Sequence, residues 1–101
     1  MFLFNTTFTV DDREFLWWQD WMRETYKAGI LEVAPDSELS VYSIDATSDG
    51  VSKSFSAQWH CSTLQDLGRV RLKSMSLCQK LLAEKGERCL SFTTLMRRLN
   101  I

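Results

Sequence analysis

His60 is the one histidine in the chain, and therefore the one side chain whose ordinary titration lies near neutral pH. It closes an alternating run in which Phe55, Ala57, Trp59 and Cys61 point one way while Ser52, Ser54, Ser56, Gln58 and His60 point the other. An imidazole on such a face can act as a general base or contact a ligand. General-base catalysis also needs a nucleophile and an orienting group, and nothing in the sequence is spaced to bring them to His60. The preferred reading is a surface or interface histidine hydrogen-bonded to a neighbouring Ser or Thr. Asn5 belongs to the matching polar side of an N-terminal strand, so His60, Gln58, Ser56 and Asn5 together form the candidate ligand-binding set.

Arg71 is the second candidate. Helical spacing from Leu67, Met75 and Cys78 puts it in the middle of an apolar stripe, where a buried charge needs a partner. That partner is either a bound anion near the sheet edge or an acid of the first helix reached by a snorkelling side chain, and the salt bridge is preferred. Cys61, Cys78 and Cys89 are odd in number and widely spaced, matching neither a disulfide framework nor a zinc pattern, and are read as reduced thiols of a cytoplasmic protein. No metal site is expected, since Asp11 and Asp12 are explained as helix caps. The glycines at 29, 50, 68 and 86 never cluster into a phosphate loop, so no cofactor is expected either.

These side chains must be positioned by a chain of 101 residues, enough for one domain with a thin core over 1–101. Hydrophobic residues make up 45% and charged residues 25%, which excludes disordered and collagen-like classes. Met1 to Val10 lacks the basic start of a signal peptide, and no window approaches the roughly 18 apolar residues of a membrane span. The net charge of −1 conceals −7 over residues 1–50 and +6 over 51–101. The bases of the second half are scattered, so mutual attraction of the halves within or between subunits is a better account than nucleic-acid binding.

Phe2, Phe4, Phe8 and Val10 alternate with Leu3, Asn5, Thr7 and Thr9, the mark of a first strand. Asp11 with Glu14 predicts a capping box, and the first helix follows from about Asp12. Its apolar arc, Phe15, Trp18, Met22 and Tyr26 widened by Trp17, Trp21 and Ala28, leaves one edge for a partner. The helix ends either at Gly29 or before Pro35. Leu39 to Ala46 and Val51 to Cys61 read as antiparallel strands joined by a Thr47-Ser48-Asp49-Gly50 turn. Ser62-Thr63-Leu64-Gln65 caps a second helix, with Leu64, Leu67, Met75, Cys78 and Leu82 on its apolar face and Gly86 at its end. Cys89 to Arg97 is the last strand, in which Leu90, Phe92 and Met96 are read as opposing an outward Ser91 and Thr93. The order predicts an α+β, ferredoxin-like βαββαβ fold: a four-stranded antiparallel sheet with two helices on one face.

In Phe2-Leu3-Phe4-Asn5-Thr6-Thr7, the Trp18 to Trp21-Met22 segment, Ser62-Thr63-Leu64-Gln65-Asp66-Leu67 and Phe92-Thr93-Thr94-Leu95-Met96 the chain resembles a group of small bacterial proteins of unknown function related to the dimeric α+β barrels. The resemblance implies a homodimer with two sheets face to face and assigns no activity. The leading expectation is a non-catalytic homodimeric domain that binds a small molecule or a protein through the polar sheet face, with no membrane association. The alternative is a small cofactor-independent enzyme, oxygenase-like or isomerase-like, using the same face. RNA binding ranks third: Lys53, Phe55 and Trp59 are similar to the aromatic strand of an RNA-recognition motif, but that motif's glycines are missing, so nucleic acid is not expected.

Overall fold

Alternation over the first ten residues is realised as β1 (Phe2–Asp11), the strand around which the rest of the sheet is arranged. The computed structural model describes residues 1–44 and 52–101. In it β1 pairs antiparallel with β3 (Ser52–Cys61) on one side and β4 (Cys89–Arg97) on the other, and β2 (Glu38–Ile44) lies outside β3. The order β2-β3-β1-β4, with helical connections after β1 and β3, is the ferredoxin-like α+β fold. The Asp49-Gly50 turn, the end of the second predicted strand and the start of the third fall outside the described residues.

The first connection is one helical rod in four parts: a 3-10 turn (Asp12–Glu14), α1 (Phe15–Trp21), a π-helical stretch (Met22–Lys27) and α2 (Ala28–Val33). Its sequence accounts for the widened middle. Trp18, Met22, Tyr26, Ile30 and Ala34 recur every four residues and all are buried, whereas a 3.6-residue helix turns such a series by about 40° per step. The wider π turns take up that drift and keep Met22, Tyr26 and Ile30 over the sheet. Pro35, not Gly29, ends the rod: Ala34 leaves helical geometry at φ −143°.

The predicted capping box forms only in half. Asp11 Oδ1 accepts from Arg13 N at 2.9 Å and Arg13 Nε at 3.1 Å, but Glu14 turns away to Lys85 Nζ at 2.7 Å and Arg88 Nη1 at 3.3 Å. Glu14 thereby clamps the start of the first rod to the end of α3 (Leu64–Lys85). The hydrogen bond from Lys85 lowers the Glu14 pKa against the opposing pull of burial, and the Arg13 side chain holds Asp11 down at about 2. Both groups are lowered from their ordinary values. Their contribution is therefore complete above the unfolded pKa of about 4 and is lost as pH falls through the folded values, for Asp11 toward about 2. The urea midpoint should drop between about pH 5 and pH 2, and Glu14→Gln should flatten that slope.

α3 begins as the sequence foretells, one residue later, with Thr63 Oγ1 accepting from Asp66 N at 3.1 Å, and stops at Gly86, whose φ of +58° suits glycine. Its buried face is only partly the predicted one, which Leu67 and Cys78 bear out and Leu64, Met75 and Leu82 do not. Leu67, Val70, Ser74, Leu77, Cys78 and Leu81 are buried, while Leu64, Met75 and Leu82 are exposed. The helix carries two apolar stripes about 100° apart by its 3.6-residue pitch, and the sheet takes the one centred on Ser74 and Leu81. Arg71 sits in the other stripe. It is exposed and forms no ion pair with a described residue, so neither a buried charge nor a salt bridge to the first helix is present.

The core lies between these helices and the inward residues of β1 and β3: Phe4, Phe8 and Val10 against Phe55, Ala57 and Trp59. Phe8 meets Trp18, Trp21 and Tyr26 edge-on, and Trp18 stacks on Phe55 at 4.6 Å. The apolar edge of the first helix is used in part internally. Trp21 is buried, and Trp17 stacks on it with Lys85 Nζ 4.2 Å from its ring; Ala28 is merely exposed.

Candidate functional site

The helices cover one side of the sheet, so β1 to β4 present their other residues outward in four cross-strand rows. The first row is Glu38, His60, Leu3 and Met96; the second is Ser40, Gln58, Asn5 and Thr94. The third is Tyr42, Ser56, Thr7 and Phe92, and the fourth Ile44, Ser54, Thr9 and Leu90. The central strands thus carry a ribbon of uncharged hydrogen-bonding groups. Tyr42 and Ile44 flank it on one edge, and Leu90, Phe92 and Met96 on the other.

The β4 rim corrects the sequence reading. Ser91 and Thr93 turn toward the helix side and Leu90, Phe92 and Met96 face outward, because the buried Cys89 pairs with the buried Val10 and fixes the parity of the strand. α3 leaves this edge strand little covered. Its inward positions are therefore not selected for apolarity, and an alternating pattern there no longer tells inside from outside.

Three of the four candidate residues are tied together. Ser56 Oγ donates to Asn5 Oδ1 at 2.5 Å, Gln58 Nε2 donates to Ser56 Oγ at 3.2 Å, and Asn5 Nδ2 donates to Thr7 Oγ1 at 3.2 Å. Thr9 and Ser54 hydroxyls extend the ribbon at 3.4 Å. Asn5 is only 8% exposed beneath its neighbours, so it orients Ser56 and Thr7 while Ser56 and Gln58 meet whatever lies above. His60 stands apart at the corner between Leu3 and Glu38. It makes no side-chain hydrogen bond to a described residue, in contrast to the Ser or Thr contact expected. Chemically the face offers neutral donors and acceptors, with a single imidazole and the Glu38 carboxylate side by side at one corner. Among the described residues no three His, Cys, Asp or Glu side chains gather where they could hold a metal ion.

All three thiols are free and buried on the helix side of the sheet, and burial raises the pKa of each, that of Cys89 to about 11. Thiol reagents should modify the native protein at least about tenfold more slowly than the urea-unfolded chain, since the thiolate is the reactive form. Fast native reaction of all three would contradict these placements. No helix among the described residues is long and apolar enough to cross a membrane.

A family profile described as "Domain of unknown function (DUF4286)" matches residues 1–99. The chain belongs to that family. No curated protein matches the sequence. Among solved structures, a crystal structure of a protein from Agrobacterium tumefaciens is similar over 99% of this chain and 95% of its own, at 13% identity and TM-score 0.62. A de novo designed ferredoxin-fold protein aligns over 99% of this chain and 88% of its own, at 10% identity and TM-score 0.59. A dimeric ferredoxin-like protein from an uncultured marine organism aligns over 95% and 91%, at 10% identity and TM-score 0.51. At these identities the likeness concerns the fold.

Proposed function

We propose that this protein is a non-catalytic homodimeric binding domain whose two sheets pack face to face and hold a small, uncharged polar ligand between them. The observation that carries the reading is the outer sheet face itself, a hydrogen-bonded ribbon of Asn5, Ser56, Gln58 and Thr7 between two apolar rims. A face exposed to solvent ordinarily carries lysine and glutamate, whereas neutral hydroxyls and amides suit an enclosed, water-bridged layer. The rims supply the apolar contact that seals such an interface. A neighbour described as a dimeric ferredoxin-like protein is in keeping with this assembly. In this reading Ser56, Gln58 and His60 touch the ligand, Asn5 orients Ser56, and residues 1–101 act as one domain. The buried thiols fit a reducing, cytoplasmic setting.

Light scattering across a concentration series is expected to give twice the chain mass. Ser56→Arg, which puts a charge in the middle of the face, should weaken the dimer by at least about tenfold, because the guanidinium would have to be buried unpaired. Gln58→Glu should weaken it less. A monomer at every concentration overturns the dimer, and an unaffected Ser56→Arg dimer overturns its location.

A further inference from the structure

A second surface lies at right angles to the sheet face. Among the described residues β4 pairs with β1 along one side only, and its other side is a free edge nine residues long. Native edge strands are usually blunted by proline, inward charge, a bulge or a covering segment. Cys89 to Met96 contains neither proline nor charge. The helix-side flank of this edge is bordered by the second stripe of α3, which leaves Leu64 68% and Leu82 53% exposed beside Ser91, Thr93 and the 57% exposed Leu95, while Phe92 at 62% turns to the open sheet face. Two shallow grooves follow this border. One of ≈ 260 Å³ lies between Met75, Gln79 and Leu82 of α3 and residues 90–93 of β4, with the Ser91 and Thr93 hydroxyls in its lining, and one of ≈ 320 Å³ lies between Leu64, Leu67, Leu95 and Arg97. Arg71 falls between the two grooves by its place on α3.

The charge here has one sign. Arg71 and Arg97 form no ion pair with described residues, Arg98 follows directly, and neither β4 nor the exposed α3 stripe contains an acid. That argues against self-pairing. Two copies joined through β4 about an axis at Thr93 would set Arg98 against Arg88 and bring both Arg71 side chains to the same level. We propose that this edge accepts a fifth strand from another protein, an extended acidic segment with apolar residues at alternate positions. Its backbone completes the β4 ladder, its apolar side chains fill the two grooves, and its carboxylates meet Arg71 and Arg97. Leu90, Phe92 and Met96 border both this edge and the open sheet face, whereas the free backbone of β4 and the α3 stripe belong to the edge alone.

The probe is a short, fluorescein-labelled synthetic peptide alternating valine with glutamate, followed by anisotropy against the full chain. It should bind saturably and more weakly as salt is raised. Arg71→Glu with Arg97→Glu should reduce affinity at least about tenfold, as should Leu82→Asp. All three residues are exposed, so these variants should keep the wild-type melting curve. Leu16→Asp on the opposite helix should change nothing. Equal binding of a valine–lysine peptide or of a proline-interrupted acidic peptide would overturn the proposal, as would no binding at millimolar peptide. If Leu82→Asp instead dissociates a wild-type dimer in light scattering, the edge belongs to a second copy and the proposal is wrong.

Discussion

Phe8→Ala should lower the unfolding free energy by about 3–5 kcal/mol, a large part of the roughly 5–15 kcal/mol that holds a domain of this size together. The side chain is fully buried on β1, and three aromatic partners meet it edge-on: Trp18 at 5.5 Å, Trp21 at 6.1 Å and Tyr26 at 5.6 Å between centroids. Truncation removes the transfer free energy of the ring, leaves a cavity that flat rigid neighbours cannot easily fill, and forfeits edge-to-face contacts worth about 0.5–1.5 kcal/mol each. Urea denaturation should show a midpoint lower by at least about 1 M with little change in slope. Phe92→Ala is the control. Its ring is 62% exposed, and its loss should change monomer stability by no more than about 0.5 kcal/mol. Equal effects at the two positions would contradict the face assignment of β4.

Tyr26→Phe is expected to cost about 1–3 kcal/mol although it removes one oxygen and almost no volume. The Tyr26 hydroxyl lies 3.0 Å from Ser74 Oγ on α3 and donates to Thr6 Oγ1 on β1 at 3.5 Å, and the Thr6 and Ser74 hydroxyls are themselves 3.5 Å apart. All three residues are fully buried, so these hydroxyls satisfy one another where both helical layers meet the central strand. Taking away the phenol oxygen leaves two hydroxyls in an apolar core with only a long mutual contact. The combined variant Tyr26→Phe, Ser74→Ala, Thr6→Val removes every member and should return to within about 1 kcal/mol of wild type. A double-mutant cycle between Tyr26 and Ser74 would read the coupling directly. Strict additivity would mean that the hydroxyls do not act as a unit.

How far the sequence alone carries differs from element to element. β1 and β3 were legible because they are central strands covered by helices on one face and open on the other, so burial imposes a strict alternation on Phe4-Thr6-Phe8-Val10 and Phe55-Ala57-Trp59-Cys61. The cap at Thr63 and the stop at Gly86 were legible because they are local, set by orphan backbone groups and a positive φ. From these the βαββαβ order, the antiparallel sheet and the polar ribbon containing Asn5, Ser56, Gln58 and His60 all follow. The ribbon's internal ties did not, since Asn5 and Ser56 are 51 residues apart and meet only through the register of β1 on β3.

The misreadings share one cause. α3 has two apolar stripes and β4 has apolar residues of both parities, so a periodic pattern identifies helix or strand in each case without saying which side is buried. For α3 its placement over the middle of the sheet settled that, burying Ser74 and Leu81 and leaving Arg71, Met75 and Leu82 in the open. For β4 the pairing of Cys89 with Val10 settled it and turned Leu90, Phe92 and Met96 outward. Glu14 shows the same limit from the side of charge: its spacing from Asp11 is that of a local cap, yet Lys85 and Arg88, more than 70 positions away, claim it. Local propensity and pitch are properties of neighbouring residues, and the sequence by itself determined the elements and their order. Which face each element buries depends on what covers it, and that only the tertiary structure decided.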